Sequence, residues 1–218
     1  MMPPVTARLV TPADAAEPFR VRAGQVLLPE PLAPDEDAAR FGCHVIAGMP
    51  AEKHFFDTAK PAAILYPVVA RPEGLSILLT ERAGHLKTHA GQVAFPGGRI
   101  EAGESALEAA LREAEEEIGL ARQHVAPVGF LPPYYSGTGF RVQPLVALID
   151  PAVMLTPDPS EVARIFEVPL DHAMNLAHYR QSTIYFRGRE RIFYILDHEA
   201  AYIWGVTAGI MRSFAERF

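Results

Sequence analysis

Three glutamates crowd one short stretch near the middle of the chain: Glu113, Glu116 and Glu117. On a helix, residues three and four positions apart are neighbours, so the three carboxylates project into one small area. Their repulsion costs a few tenths of a kcal/mol unless cations neutralise it. Carboxylate oxygens suit Mg²⁺ or Mn²⁺, and such ions can hold a diphosphate for attack by water. The pattern therefore indicates a divalent-metal phosphohydrolase site, with a plain solvated helix surface as the alternative.

Three neighbouring features favour the metal site over the plain surface. Ala106 and Ala109 are expected on the same side as the acids, where small side chains leave room for a bulky anion. Arg112 is spaced to pair with Glu116 one turn later, which would orient that carboxylate. Gly97-Gly98 precedes the helix, and the lack of side chains lets a main-chain group approach a ligand.

The helix that must carry these acids has both of its ends marked in the sequence. Ser105 and Glu108 form a capping-box pair, which predicts a start at about Ala106. Gly119 supplies the stop. The apolar stripe that should face the core consists of Leu107, Leu111, Ala114 and Ile118.

The spacing of this stretch resembles the complete Nudix box of the Nudix hydrolase superfamily. Five residues separate Gly98 from Glu104, seven separate Glu104 from Arg112, and the run REAEEEIGL then ends at Leu120. The superfamily cleaves nucleoside diphosphates linked to another group. The resemblance implies that Glu104 and Arg112 support the metal ligands, and it implies metal-binding roles for Glu113, Glu116, Glu117 and the backbone of Gly97 and Gly98.

A second resemblance lies upstream of the box. Leu78-Leu79-Thr80, Arg82-Ala83, Gly91 and Phe95 to Gly98 are similar to the signature that precedes the box in the coenzyme A pyrophosphatase branch. That branch has an arginine where Lys87 stands, and lysine keeps the charge but loses the planar two-pronged donor. The resemblance implies that Arg82 and Lys87 contact substrate; the alternative is a surface ion pair with Glu81 or Glu101.

Later loops add three candidates. Tyr134 and Tyr135 could stack on a nucleobase or pack on the sheet, and the run from Ser136 to Pro144 resembles a loop of the same branch. In several Nudix branches a glutamate on a late loop reaches back to the metals or to the attacking water, and Glu161 is the residue nominated here. The alternative for Glu161 is a carboxylate at a helix start, favoured by the helix dipole.

Short apolar runs predict the strands that position these residues. Arg187 to Glu190 should be the turn of a hairpin, and Trp204 is expected to pack within a closing helix, Ala201 to Glu216. These elements predict an α/β fold, an α/β/α sandwich around a mixed β-sheet. The predicted strands are Ala62 to Val69, Leu75 to Thr80, Val125 to Leu131, Arg141 to Ile149, Thr183 to Phe186 and Arg191 to Leu196.

The resemblance implies a Nudix domain over residues 58–218. Residues 1–57 form a Pro- and Ala-rich extension that should pack on the body, and its prolines are expected to break any long element. Asp35 to Phe41 could form a short helix, and Phe41, Val45 and Ile46 should dock on the domain.

Composition limits the remaining possibilities. The 218 residues carry a net charge of −6, which argues against nonspecific binding to nucleic acid or to an anionic membrane. Cys43 is the only cysteine, which fits a reducing compartment, and no stretch has the apolar length of a signal peptide or a membrane span. We expect a cytoplasmic protein; an apolar hairpin and terminal helix would allow a homodimer.

The resemblance implies Mg²⁺- or Mn²⁺-dependent hydrolysis of the diphosphate of coenzyme A or its thioesters. The products would be 4′-phosphopantetheine, or its acyl form, and adenosine 3′,5′-bisphosphate. Glu113 and Glu161 are both candidates for the general base. One alternative is the same chemistry on ADP-ribose or on a dinucleotide such as NADH. Another is a nucleotide sensor that binds without hydrolysis.

Overall fold

A mixed β-sheet is the largest element of the computed structural model, which describes residues 12–34, 42–46, 56–186 and 189–218. The central pair, β1 and β7, is parallel, from Lys60 opposite Phe140 to Val69 opposite Ile149. The other pairings in this sheet are antiparallel. Its strands are β1 (Lys60–Arg71), β2 (Gly74–Arg82), β3 (Val93–Ala94), β4 (Gly97–Arg99), β5 (Val125–Phe130), β6 (Tyr134–Tyr135), β7 (Phe140–Ile149) and β8 (Val162–Pro169).

One segment changes its pairing partner inside the sheet and delivers the glycine turn. β3 pairs with the end of β2, with Ala94 opposite Thr80, whereas β4 pairs with the start of β1, with Gly98 opposite Ala63. Between them, the Leu65 N–H donates to the Pro96 carbonyl at 2.9 Å. The switch brings the two glycines of β4 into the sheet beneath the helix that carries the acids.

The rest of the described part of the chain contains five α-helices with defined bounds, a smaller sheet and two short 3-10 helices, Arg122–His124 and Leu176–His178. The smaller sheet is antiparallel, with β10 between β9 and β11. Its strands are β9 (Tyr179–Phe186), β10 (Arg189–His198) and β11 (Ala201–Trp204). The helices are α1 (Pro12–Val26), α2 (Cys43–Ile46), α3 (Ala106–Ile118), α4 (Leu170–Met174) and α5 (Gly205–Ala215).

The large sheet is covered on both faces, because side chains alternate along its strands. On β1, Leu65 and Val69 belong to the core that includes Ala114 of α3. Tyr66 and Val68 belong to the opposite core, which includes side chains of α1 and α5. The predicted α/β/α sandwich is therefore confirmed. The predicted strands of the large sheet are present, three with slightly longer bounds and β5 one residue shorter, ending at Phe130.

The amino-terminal segment differs from its prediction. α1 runs for 15 residues with Pro18 inside it, so the expectation that prolines exclude a long element is wrong. Pro18 is exposed, whereas Phe19, Ala23 and Leu27 are buried at intervals of four residues and dock the segment on the sheet. Ile46 packs against the core as expected. The predicted helix Asp35 to Phe41, including the docking residue Phe41, and the Val45 side chain lie outside the described residues.

The carboxyl-terminal prediction is also corrected. Ala201–Trp204 is a strand, because Ile203 and Trp204 pair with Leu196 and Ile195 of β10. The helix begins only at Gly205, whose φ of +65° suits glycine at the change of direction. The hairpin is present, although Arg189 and Glu190 belong to β10 instead of lying in the predicted turn.

Trp204 packs as predicted. Its ring lies edge-to-face against Phe193 on the neighbouring strand, with ring centroids 5.2 Å apart. Within the described residues, the structure has no helix of the length and apolar character needed to cross a bilayer.

Candidate functional site

The helix that carries the acids, α3, has the ends that its sequence predicts. The Ser105 hydroxyl accepts from the Glu108 N–H at 3.2 Å, and the Glu108 carboxylate accepts from the Ser105 N–H at 2.9 Å. Gly119 closes the helix in the left-handed conformation, with φ 66°. Along the predicted stripe, Leu111, Ala114 and Ile118 are buried and Leu107 is partly buried. Packing of this stripe fixes which way the glutamates point.

The three glutamate side chains differ in how far they are buried. The side chain of Glu117 is 5% exposed, that of Glu113 is 17% exposed and that of Glu116 is 60% exposed. A solvated helix surface would leave all three in water, so the plain-surface interpretation does not fit Glu117 and Glu113. These two carboxylates lie in the contact between α3 and the sheet.

Arg112 holds three carboxylates at once. Its guanidinium donates to both oxygens of Glu104, from Nε at 2.9 Å and from Nη2 at 3.1 Å. Its Nη1 donates to Glu113 Oε1 and to Glu116 Oε2, each at 3.0 Å. Its Nη2 also donates to the Arg99 carbonyl at 3.1 Å. The predicted Arg112–Glu116 pair is confirmed, and it belongs to a larger network that orients the acids.

The glycine turn brings backbone against the carboxylates. The Gly97 N–H donates to Glu117 Oε2 at 3.3 Å. A Cβ at Gly98 would collide with both oxygens of Glu113, and a Cβ at Gly97 would collide with the Ala63 carbonyl. Only residues without side chains allow this approach, as the sequence predicts.

Several carboxyl groups lie close together beside the glycine turn. Burial raises the pKa of Glu117 to about 8, the Gly97 N–H and Arg82 oppose the rise, and Glu113 and Glu161 add to it. Burial also raises the pKa of Glu113, against the effect of Arg112 and with that of Glu116 and Glu161. A bound cation would relieve this crowding, since an opposite charge favours ionised carboxylates.

The residues fit a divalent cation in donor type and in charge. Glu113, Glu116 and Glu117 offer hard carboxylate oxygens beside an open glycine backbone. Arg112 and the Gly97 N–H hold these oxygens in the structure. Over the described ranges, no three His, Cys, Asp or Glu side chains converge as a ready set of metal ligands. The metal-ligand set, with the Gly98 backbone, therefore stays a prediction.

The loop from Arg82 to Gln92 begins and ends beside these acids. At its base the Arg82 N–H donates to the Gln92 carbonyl at 2.9 Å, and Arg82 Nη1 lies 3.9 Å from Glu117 Oε1. Neither ion pair offered as the alternative for Arg82 forms, and Glu81 pairs with Arg164 at 2.6 Å. Lys87 is exposed and makes no hydrogen bond or ion pair to the described residues. Substrate contact by Arg82 and Lys87 stays a prediction.

Glu161 lies directly before β8, so the alternative that it starts a helix is wrong. Its carbonyl accepts from the Ala83 N–H at 2.7 Å, which ties it to the end of β2. Its side chain is exposed, and its charge contributes to the raised pKa values of Glu113 and Glu117. Glu161 is therefore near enough for its charge to act on the carboxylate cluster, and its catalytic role stays a prediction.

Burial decides between the two alternatives for Tyr134 and Tyr135. The two residues are 3% and 1% exposed, so they pack in the core as the second alternative expects, and their assignment as substrate contacts is wrong. Pairing of β6 with β7 directs the rings into the protein, where Tyr135 packs edge-to-face on Phe56 at 4.8 Å. Ala109 is fully buried, so it leaves no open space beside the acids.

One residue of the site was not singled out from the sequence. The Asp158 N–H donates to the Glu117 carbonyl at 2.9 Å, at the end of α3. The run Asp158-Pro159-Ser160 is typical of a turn and was the available signal. Nothing in that run indicates which helix the turn contacts.

The comparisons with known proteins agree with this site. The model of the NUDIX domain matches residues 59–186. NudL of Salmonella paratyphi B, named an uncharacterized Nudix hydrolase, is 44% identical over 157 residues, which cover 72% of this chain and 81% of NudL.

Two solved structures are also similar. A Nudix hydrolase from M. smegmatis, RenU, has a TM-score of 0.45 and 24% identity, covering 52% of this chain and 73% of that one. A C. elegans Ap4A hydrolase binary complex has a TM-score of 0.44 and 19% identity, covering 53% and 85%.

The family match spans more than half of the chain and includes both the glycine turn and α3. The NudL relative extends the likeness over most of both chains. Nudix hydrolases generally use divalent metal ions, in agreement with the donors around Glu117. This chain belongs to the Nudix hydrolase family, and it is a pyrophosphohydrolase.

Proposed function

We propose that this protein hydrolyses the diphosphate bond of coenzyme A or its thioesters, with Mg²⁺ or Mn²⁺ as the cofactor. The observation that supports this substrate is the loop from Arg82 to Gln92. Its sequence is similar to the signature of the coenzyme A pyrophosphatase branch, and its base lies against Glu117 and Glu161.

The positively charged side chains of this loop are suited to binding a diphosphate. Arg82 approaches Glu117, and its buried Nε has no hydrogen-bond partner among the described residues. Lys87 is exposed on the same loop. A diphosphate presents oxygens that accept from such donors, so Arg82 and Lys87 are proposed to hold the substrate next to the acids.

The glutamates and the groups bonded to them have different proposed roles. Glu113, Glu116 and Glu117 would hold the divalent ions, which supply positive charge to the diphosphate oxygens. Arg112 orients Glu113 and Glu116, and the Gly97 N–H orients Glu117. Burial of Glu117 and Glu113 keeps bulk water away from these contacts.

Glu161 is the proposed general base. Its exposed carboxylate forms no hydrogen bond or ion pair with described residues, whereas Glu113 is held by Arg112. A water oxygen would bond to one phosphorus and give up a proton to Glu161 as the bond from that phosphorus to the bridging oxygen breaks. The bridging oxygen leaves with the other phosphate, giving 4′-phosphopantetheine and adenosine 3′,5′-bisphosphate.

Product identification tests this proposal. The purified protein is incubated with Mg²⁺ or Mn²⁺ and with coenzyme A, acetyl-coenzyme A, ADP-ribose or NADH at equal concentrations, and products are identified by mass spectrometry. We expect a coenzyme A compound to be cleaved fastest. A clear preference for ADP-ribose or NADH would reject the coenzyme A assignment, and binding without cleavage would indicate a sensor.

Matched glutamine variants on α3 test the residue assignment. Glu116→Gln and Glu117→Gln should lose about 100-fold or more of the metal-dependent rate, because each removes a charged ligand. Glu115→Gln is the control, since Glu115 is exposed on the same helix outside the cluster. Wild-type turnover in the Glu117 variant would reject the site.

A further inference from the structure

The loop Thr156 to Glu161 is fastened to the end of α3. The Thr156 N–H donates to the Ile118 carbonyl, and the Asp158 N–H donates to the Glu117 carbonyl, each at 2.9 Å. The last carbonyls of a helix have no partner within it, so they are available to a neighbouring segment. These two bonds hold the loop against the carboxyl-terminal end of α3, next to the backbone of Glu117.

Asp158 then turns the chain toward Glu161. Its carboxylate Oδ1 accepts from the Ser160 N–H at 2.8 Å. Its carbonyl accepts from the Glu161 N–H at 3.0 Å and from the Val162 N–H at 2.8 Å. An aspartate side chain bonded to the backbone two residues later stabilises a tight turn. Hydrogen bonds from the Ser160 backbone and side chain lower the pKa of the Asp158 carboxyl, so it is ionised near neutral pH.

The chain on the other side of Glu161 is equally constrained. The Ala83 N–H donates to the Glu161 carbonyl at 2.7 Å, and Val162 is 2% exposed. The pairing of β2 with β8 shifts register here, from Glu81 opposite Arg164 to Arg82 opposite Val162. Such a bulge redirects the residues next to it. The backbone of Glu161 is therefore fixed from both sides, while its carboxylate is exposed and its charge acts on Glu113 and Glu117.

We propose that Asp158 is a positioning residue, whose turn holds the Glu161 carboxylate opposite Glu113 and Glu117. Asp158 itself contacts the end of α3 through its N–H and Ser160 through its carboxylate. The inference rests on the proposed function, in which Glu161 accepts the proton of the attacking water. Opening the turn should slow turnover by displacing Glu161, with little effect on substrate binding.

The chain contains a matched control for this turn. Asp150 Oδ1 accepts from the Ala152 N–H at 2.9 Å, and the Asp150 carbonyl accepts from the Val153 N–H at 3.2 Å. Asp150 is exposed like Asp158, but its side chain bonds to His124 and not to the Glu161 segment. Asp150→Ala thus removes the same kind of turn from a different loop.

Steady-state kinetics provide the first measurement, on whichever of coenzyme A, ADP-ribose and NADH the wild type cleaves fastest. Asp158→Ala should lower kcat by about 10–100-fold, since small displacements of a reacting group have effects of that size. Its KM should stay within about 3-fold of wild type, because uniform binding is unchanged. Asp158→Asn should recover most of kcat, since its amide oxygen can accept the Ser160 N–H, and Asp150→Ala should match wild type.

A double variant shows whether Asp158 acts through Glu161. The variant Asp158→Ala/Glu161→Gln should be no slower than Glu161→Gln alone, because the displaced carboxylate is already absent. Amide hydrogen exchange gives a readout without substrate or metal. The Glu161 and Val162 amides should exchange faster in Asp158→Ala and return toward wild type in Asp158→Asn.

The outcomes separate this inference from the substrate assignment. Turnover in Asp158→Ala equal to that in Asp150→Ala, or losses that add in the double variant, would overturn the positioning role. Preference for ADP-ribose would reject the coenzyme A proposal alone, since the Asp158 series is then measured on ADP-ribose. If no substrate is cleaved, the proposed function fails and exchange decides the inference: unchanged protection of Glu161 and Val162 overturns it, and lost protection supports it.

Discussion

Arg112 is the side chain on which the orientation of the site depends. It bonds to Glu104, Glu113 and Glu116 together, with donors that lie in one plane. Its strongest partner, Glu104, raises the pKa of Arg112, and Arg112 in turn lowers the pKa of Glu104. Both groups therefore stay ionised across the working pH range.

Replacing Arg112 with lysine should impair the site while keeping its charge. An ammonium group cannot reproduce the planar set of bonds to three carboxylates, so we expect Arg112→Lys to lower kcat by about 10–100-fold. Arg122→Lys is the control, because Arg122 is exposed just beyond α3. Steady-state rates and Mn²⁺ affinity measure the effect; equal rates in the two variants would contradict a role for these bonds.

Gly98 offers a second test at single-residue scale. A methyl group there would collide with the Glu113 carboxylate, whereas the backbone itself has no positive φ to strain alanine. We expect Gly98→Ala to lower kcat/KM by about 10-fold or more, because the displaced carboxylate no longer meets its partners. Gly24→Ala in α1 is the control, since its added methyl has nothing within 4 Å. Normal kcat/KM in Gly98→Ala would show that Glu113 is not needed where the structure places it.

At the scale of elements, α3 shows how far local sequence predicts this protein. Its start, stop and apolar stripe depend on residues within one helix, and the pairing of Arg112 with Glu116 depends on helical spacing alone. These features follow from positions four residues apart or fewer, so the sequence was sufficient. The face of α3 that carries the three glutamates could be predicted for the same reason.

Features that depend on pairing with strands distant in the sequence could not be predicted in this way. Trp204 lies on a strand because β10 is beside it, and Tyr135 is buried because β6 pairs with β7 and Phe56 covers the ring. The approach of Glu161 to Glu113 depends on the register of β2 with β8 and on the bonds from the end of α3. None of these partners is indicated within the segment that carries the residue.

A histidine cluster links α4 to the end of β10. His172 of α4 stacks on His178 at 4.1 Å and meets His198 edge-on at 5.1 Å between ring centroids. His172 Nε2 contacts the Asp197 carbonyl at 2.8 Å, and His198 Nδ1 accepts from the Ala200 N–H at 3.2 Å. Protonation would place like charges together and remove an acceptor at Nδ1.

This cluster should make the fold sensitive to acid. Burial and then His172 lower the pKa of His198, against Glu199, and the nearby Asp197 is paired with Arg180. Because the pKa of His198 is lowered in the folded state, its contribution to stability is fully present above the unfolded pKa of about 6.5. That contribution is lost as pH falls from there through the lower pKa of the folded state. We expect His198→Asn to reduce the fall in Tm between about pH 7 and pH 5 by a few degrees.

The control for His198 is His89→Asn. His89 is exposed and has φ 58°, which asparagine tolerates, so the variant removes an imidazole without straining the backbone. Its Tm should follow the wild-type pH dependence in scanning calorimetry. An unchanged acid slope in His198→Asn would show that the cluster does not govern the loss of stability.

For the molecule as a whole, the segment that matches the family model does not supply all the residues of the hydrophobic core. The core opposite α3 draws residues from α1 before that segment and from β10, β11 and α5 after it. Phe19 of α1 meets Phe214 of α5 edge-to-face at 6.3 Å and Phe218 at 5.6 Å. The helix α1 thus packs against α5 and Phe218 over one face of the sheet, and α1 is part of the folded body.

Phe19 provides the test of that arrangement. Its side chain is 4% exposed, and removing a buried phenylalanine ring costs about 3–5 kcal/mol because a cavity remains. In a chain of this length we expect Phe19→Ala to lower Tm by roughly 10 °C, measured by calorimetry on the metal-free protein. Val21→Ala on the same helix is the control, since Val21 is 55% exposed and its truncation should change stability by less than about 0.5 kcal/mol. If α1 were a loosely attached extension, both variants would keep the wild-type Tm. A fall confined to Phe19→Ala would mean that residues outside the matched segment stabilise the sheet on which the site is built.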